Sequence, residues 1–319
     1  MKIDNEEYMW SQKYRPQSIE DCILPKTIKT FVSNLVKEGQ FQSILLSGIQ
    51  GSGKTSLAKA LCNDLGFSYL LINASDENGI DVLRTKIKQY ASTVSLLGGD
   101  SPKIVILDEA DRLTHSTQHA LRNFMEEFSK NARFILTANY KNKIITPLQS
   151  RCTSIDFNTA DLKKPDVLKQ FLNRVIFILN NENVRYEKAV LVEIITKWAP
   201  DFRKIINEFQ KYSISFDGEI NSGILVSGSI DINIVELIKF LKEKNFRQVR
   251  KWVVDHEDIE SEILFRKIYD NLRNMIEPQS IPKAVLILAE YGYRSAFVVD
   301  QEINRMACLV EIMSQCKFL

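Results

Sequence analysis

Eight consecutive residues, Gly48-Ile49-Gln50-Gly51-Ser52-Gly53-Lys54-Thr55, carry the spacing G-x-x-x-x-G-K-[ST]. Each residue type has a use around a phosphate. Glycines let backbone N–H groups turn inward onto phosphate oxygens. A helix beginning at the end of the loop adds its partial positive charge. Lys54 is long enough to reach β- and γ-phosphates, and the Thr55 hydroxyl is a hard oxygen suited to Mg²⁺. Gly51, Ser52, Gly53, Lys54, Thr55 and Ser56 are the candidate nucleotide-binding positions. A second group follows about fifty residues on. Four apolar residues precede Asp108, so its carboxylate emerges at the C-terminal end of a buried strand, beside the loop. Asp108 joins Thr55 as a candidate Mg²⁺ ligand. Glu109 is the carboxylate suited to polarising an attacking water.

These residues need a scaffold, and the sequence writes one. Residues 43–47 (SILLS), 68–73 (SYLLIN), 103–107 (KIVIL), 133–137 (RFILT) and 153–157 (TSIDF) read as strands. Helical patterns over 55–65, 80–91 and 116–128 lie between them. Alternation of this kind predicts a parallel sheet covered on both faces. From residue 161 the apolar spacing turns wholly helical, giving a small helical unit to about residue 220. A Gly/Ser-rich connection at 221–229 leads into a further run of helices over 231–319.

Composition narrows the setting. The 319 residues suggest two or three compact units. A net charge of +2 supplies no global basic field, so a nucleic-acid site must be local or shared among subunits. Cys22, Cys62, Cys152, Cys308 and Cys316 are dispersed without a Cys-x-x-Cys pair, which argues against structural zinc and for reduced thiols. The polar start MKIDNEEYMW is not a signal peptide, and no apolar run spans a membrane. A soluble intracellular protein is expected.

Further motifs point to a family. Trp10-Ser-Gln-Lys-Tyr-Arg-Pro16 precedes the phosphate loop, and Asn73-Ala-Ser-Asp-Glu-Asn-Gly-Ile-Asp-Val-Leu-Arg84 follows it. Leu121-Arg-Asn-Phe-Met-Glu126, Ser150-Arg151-Cys152 and Pro200-Asp201-Phe202-Arg203 come after Asp108-Glu109-Ala110-Asp111. In this order they resemble the motifs of the AAA+ clamp-loader ATPases, the group of the replication factor C small subunits and the T4-type phage large subunit. The likeness runs from Trp10 to the C-terminus. It implies an α/β P-loop AAA+ module with a parallel sheet (1–157), a small helical lid (158–226) and an all-helical C-terminal collar that assembles subunits (227–319). It implies ATP with Mg²⁺, an adenine pocket from Tyr14, Arg15, Pro16 and Ile23, and hydrolysis coupled to clamp loading. By the same likeness Asn139 is the sensor-1 residue, Arg203 the sensor-2 residue acting in cis, and Arg151 an arginine finger entering a neighbour's site in trans. On residue chemistry alone, Asn139 also reads as a helix cap, and Arg151 and Arg203 as surface charges.

The resemblance extends to partners: other clamp-loader subunits in a ring or spiral, as a pentamer, with a sliding clamp and primer–template DNA, and no membrane. Arg84 and Lys88 share a helix face, with Lys86 offset. Bare periodicity makes this a solvated face; the family implies a DNA-phosphate contact, helped by Ser116 at the next helix start. Val94, Leu96 and Leu97 read either as clamp contacts or as packing onto the chain's own core. Glu77-Asn78-Gly79 stands where the family often has a basic residue relaying DNA binding to the catalytic glutamate, a departure that puts that relay in doubt. A phage setting implies host cytoplasm, and a eukaryotic one the nucleus. Two other readings stay open: a structural subunit that does not hydrolyse, and another AAA+ DNA motor such as a branch-migration helicase.

Overall fold

A computed structural model describes residues 7–76, 79–92, 102–215, 218–221, 224, 234–257 and 259–319. The chain divides into two compact units, Met1–Leu225 and Val226–Leu319. The first contains α1 (Trp10–Lys13), α2 (Lys26–Glu38), β1 (Ile44–Gly48), α3 (Lys54–Asp64), β2 (Tyr69–Asn73), α4 (Ile80–Ser92) and β3 (Lys103–Asp108). It continues with α5 (His115–Glu127), β4 (Ala132–Ala138), α6 (Thr146–Gln149), β5 (Thr153–Phe157) and α7 (Thr159–Leu162). Then come α8 (Pro165–Asn181), β6 (Arg185–Tyr186), α9 (Lys188–Trp198), α10 (Phe202–Ser215) and β7 (Glu219–Ile220).

β1 to β5 form one parallel sheet in the order β2-β3-β4-β1-β5. Its central strands β3, β4 and β1 are buried on both faces and read as apolar runs. The edge strands β2 and β5 are partly exposed, and β5 alternates buried Ile155 and Phe157 with exposed Ser154 and Asp156. Ile44, Leu46, Ile104, Ile106 and Ile135 face one side, packed with Leu57, Ala58 and Leu61 of α3. Leu45, Val105, Leu107, Phe134 and Leu136 face the other, packed with Leu83 and Ile87 of α4 and Leu121 of α5. The side carrying α3 continues into α8, α9 and α10, where Phe171, Val175, Leu191, Ile205 and Phe209 extend the same core. The helices after the sheet are thus held to it by shared apolar packing.

Two features escape the expected pattern. α2 is an additional helix, with Ile28 and Val32 buried. β6 and β7 pair in parallel within the otherwise helical stretch, Arg185 with Glu219 and Tyr186 with Ile220. Two residues are too few to write a period of two into a sequence.

The second unit packs α11 (Ile234–Lys242), α12 (Phe246–Asp255), α13 (Ser261–Met275), α14 (Ile281–Ser295) and α15 (Gln301–Gln315) around Leu237, Trp252, Ile268, Leu309 and Ile312. Leu286, Tyr293, Phe297 and Ile303 remain largely exposed on it. Among the described residues no helix is long and apolar enough to cross a membrane.

Candidate active site

The parallel register decides what meets at the sheet's C-terminal edge. β1 ends at Gly48 and hands the chain to the phosphate loop, which closes at Gly53 and enters α3 at Lys54. Gly48 has φ 146°, and a Cβ there would lie 2.6 Å from the Phe157 Cβ. Gly51 has φ 73°, and its absent Cβ would collide with the Asp201 carboxylate. Both positions therefore require glycine, one for the sheet and one for the close approach of the segment that opens α10.

β3 ends on Asp108, one strand from β1 across β4. Asp108 Oδ1 accepts hydrogen bonds from Thr55 Oγ1 at 2.7 Å and Thr137 Oγ1 at 2.6 Å. Thr137 Oγ1 in turn accepts from the Glu109 N–H at 3.0 Å. Glu109 sits in the left-handed region at φ 55°, an uncommon conformation for a residue with a side chain. Thr137 thus fixes both carboxylate residues through one hydroxyl. Asp111 does similar work for the next strand end, accepting the Asn139 N–H at 3.1 Å.

Lys54 is buried. Its ammonium donates to Gly48 O at 2.8 Å, Ile49 O at 2.7 Å and Asn139 Oδ1 at 3.0 Å, using all three protons. Burial pulls it down to about 8, against the opposing pull of Asp108 and Asp111. Arg15 is lowered as well, by burial first and then by the Arg203 charge. Lys54, Arg15 and Arg203 therefore crowd positive charge into one cleft, an arrangement that a polyphosphate would relieve.

The cleft has two parts. Gln50, Gly51, Gly53, Lys54, Thr55, Ser56, Asp108, Glu109, Thr137, Asn139 and Arg203 line the polar part. Tyr14, Arg15, Pro16 and Ile23 line an adjoining cleft, opposite Phe171, Phe202 and Ile206. Ser52 and Ser56 also face this second part, and the Ser52 hydroxyl donates to Ile49 O at 2.7 Å. Tyr14 is buried, and its hydroxyl donates to Glu182 Oε1 at 2.5 Å. Burial and that carboxylate push the Tyr14 phenol far up. A flat base fits the apolar part and a phosphate chain the polar part. Thr55 and Asp108, already within hydrogen-bond reach of each other, offer the hard-oxygen pair that suits Mg²⁺. Such an ion keeps waters and phosphate oxygens as its remaining ligands.

Arg151 stands apart. It precedes β5, whose first residue pairs with Ile44 at the start of β1. The phosphate loop follows the other end of β1, four residues or roughly 13 Å of strand away. Arg151 pairs there with Glu126 of α5, which also lies 3.6 Å from Arg122, and donates to Pro147 O at 3.1 Å. Gln42, Ser43 and Arg133 line the same shallow groove.

The remaining expected contacts divide. Arg84, Lys86 and Lys88 are exposed on α4, with Arg84 and Lys86 flanking the buried Leu83 and Ile87 on either side. Ser116 is exposed in the first turn of α5, where Thr114 caps the helix by accepting the Thr117 N–H. Val94, Leu96 and Leu97 lie outside the described residues. Thr137 bonds Asp108 and the Glu109 N–H without standing in any of the sequence motifs. Asp111 and Asp201 stand inside two of them, and their contacts to Asn139 and Gly51 come from the fold, not from the spacing.

Comparison with known proteins accords with this geometry. Residues 44–159 match the model of the ATPase family associated with various cellular activities. Residues 163–226 match that of the sliding-clamp-loader large subunit AAA+ ATPase lid domain. The replication factor C small subunit of Sulfurisphaera tokodaii is 37% identical over 324 residues, covering 96% of this chain and 95% of the relative. The sliding-clamp-loader large subunit of Enterobacteria phage T4 is 32% identical over 326 residues, covering 99% of each. A mutant of Thermotoga maritima RuvB superposes with a TM-score of 0.53 at 18% identity, over 71% of this chain and 79% of that one, and shares the fold.

Proposed function

The chain belongs to the AAA+ clamp-loader ATPases and is an ATP-hydrolysing enzyme, and we propose that it works as the DNA- and clamp-stimulated subunit of a sliding-clamp loader. One observation carries this reading. The phosphate loop, Asp108 and Glu109 converge on the C-terminal edge of the sheet, while Arg151 lies at the N-terminal edge beyond reach of its own loop. A centre divided in this way is completed by a neighbouring subunit.

In this mechanism ATP enters the cleft with its base against Tyr14, Arg15, Pro16 and Ile23. Its phosphates displace the Gly48 and Ile49 carbonyls and Asn139 from Lys54. Thr55 and Asp108 would hold Mg²⁺, which draws charge from the phosphate oxygens. Asn139 and Arg203 face the γ-phosphate, and Glu109 takes a proton from the attacking water. Arg151 of the adjacent subunit neutralises the charge that develops as the terminal bond breaks.

Around this centre, several subunits form a spiral, a pentamer, through the helical second unit with its exposed Leu286, Tyr293, Phe297 and Ile303. ATP binding closes the spiral and opens the clamp. DNA phosphates then meet Arg84, Lys86, Lys88 and the α5 start from several copies together. Val94, Leu96 and Leu97 meet the clamp. Hydrolysis releases the closed clamp on primer–template DNA. Steady-state ATP turnover of the chain with its partner subunits checks this: clamp plus primed DNA should raise the rate at least about tenfold, and a rate indifferent to both would refute the clamp-loading role.

A further inference from the structure

The helical part of the first unit grips the chain's own beginning. Gln210 of α10 is 5% exposed. It spends both ends of its amide on the N-terminal backbone. Nε2 donates to Tyr8 O at 2.9 Å, and Oε1 accepts the Trp10 N–H at 2.9 Å. This is how a neighbouring strand would hold the same two groups. A second anchor lies at the C-terminal end of α8. There Glu182 accepts from Tyr14 and pairs with Lys13 at 2.7 Å.

A few residues later the chain is fastened to a different element. The Ile19 N–H donates to Asp64 at 2.8 Å, and Asn63 Nδ2 donates to Gln17 O at 3.0 Å. Asn63 and Asp64 end α3, the helix that follows the phosphate loop. Arg15 and Pro16 are therefore a short span between α8/α10 on one side and α3 on the other, and that span walls the apolar cleft.

We propose that Gln210 is a positioning residue for the base of the bound nucleotide: by clasping Tyr8 and Trp10 to α10, it holds the Tyr14–Pro16 wall at the spacing a base requires. The phosphates are held by α3, its loop and β3, together with Asn139 and Arg203. Gln210 shares α10 with Arg203 but lies two turns along it, and its amide bonds only to the Tyr8 and Trp10 backbone. Loss of the clasp therefore weakens binding of a nucleotide and spares binding of its phosphates alone. The proposal rests on the reading that the apolar cleft takes the base.

The test compares ATP with inorganic tripolyphosphate, each with Mg²⁺, by calorimetry on the full chain. In the native protein ATP binds more tightly. Gln210→Met keeps the volume and loses both hydrogen bonds; ATP affinity falls about tenfold while tripolyphosphate stays within about twofold. Gln210→Glu keeps the acceptor for Trp10 but turns a second acceptor onto the Tyr8 carbonyl in a buried position, so its ATP affinity falls at least as far. If Gln210→Met does not fold, as read by thermal melting, Gln210→Glu decides alone by the same selective loss. Unchanged affinities, or equal losses for both ligands, overturn the role of Gln210. If the native protein binds tripolyphosphate as tightly as ATP, the base-pocket reading itself fails, which is a separate result.

Discussion

At the scale of single residues, Lys54 is the most constrained group in the cleft. Its pKa falls to about 8 because the ammonium is buried and only partly offset by Asp108 and Asp111. Phosphates alongside it favour the charged form and raise that pKa on binding. Free protein above this value has lost the proton, so binding must take one up from solvent. ATP affinity should be flat below about pH 8 and weaken by up to about tenfold per pH unit above it. For stability the sign is the reverse. Between about pH 8 and the unfolded value the unfolded chain holds more protons than the folded one, so this group favours folding increasingly as pH rises. Calorimetry between about pH 7.5 and about pH 9.5, in buffers of different ionisation enthalpy, should show proton uptake on binding; an affinity independent of pH would contradict the account of Lys54.

At the scale of elements, the site depends on β4 lying between β3 and β1. That placement brings the Thr137 hydroxyl to both Asp108 and the Glu109 N–H. Thr137→Val keeps the shape and removes the hydroxyl, leaving a partly buried N–H without its acceptor, a cost of about 1–3 kcal/mol. Single-turnover hydrolysis should slow about tenfold while ATP affinity changes by less than about threefold; an unchanged rate would show that Thr137 does not orient the carboxylates. The same placement explains what was legible beforehand. The phosphate loop and Asp108-Glu109 are local runs whose spacing carries their meaning, and the central strands β1, β3 and β4 show as apolar runs because both their faces are buried. Thr137, Asp111, Asp201 and Gln210 act across register and helix docking, which no local spacing records. Ile28, Phe31, Val32, Leu35 and Val36 recur at helical spacing in Lys26–Glu38, so α2 lies within reach of apolar periodicity alone. The β6–β7 pair is two residues long, too short to write a strand period into the sequence.

At the scale of the whole molecule, the proposed centre falls on two edges of the sheet. Its C-terminal edge gathers the groups that would hold and hydrolyse a triphosphate in the proposed mechanism, and its N-terminal edge presents Arg151, paired with Glu126 in the single chain. Near-neutral net charge agrees with a protein whose DNA contacts are contributed by several copies. The most direct test is Arg151→Ala in the assembled loader, measuring ATP turnover with clamp and primed DNA beside ATP affinity of the isolated chain. The expected result is turnover reduced by about 10³-fold or more, with isolated-chain affinity unchanged. Turnover retained in the assembly, or affinity lost in the isolated chain, would contradict a catalytic centre shared between neighbouring subunits.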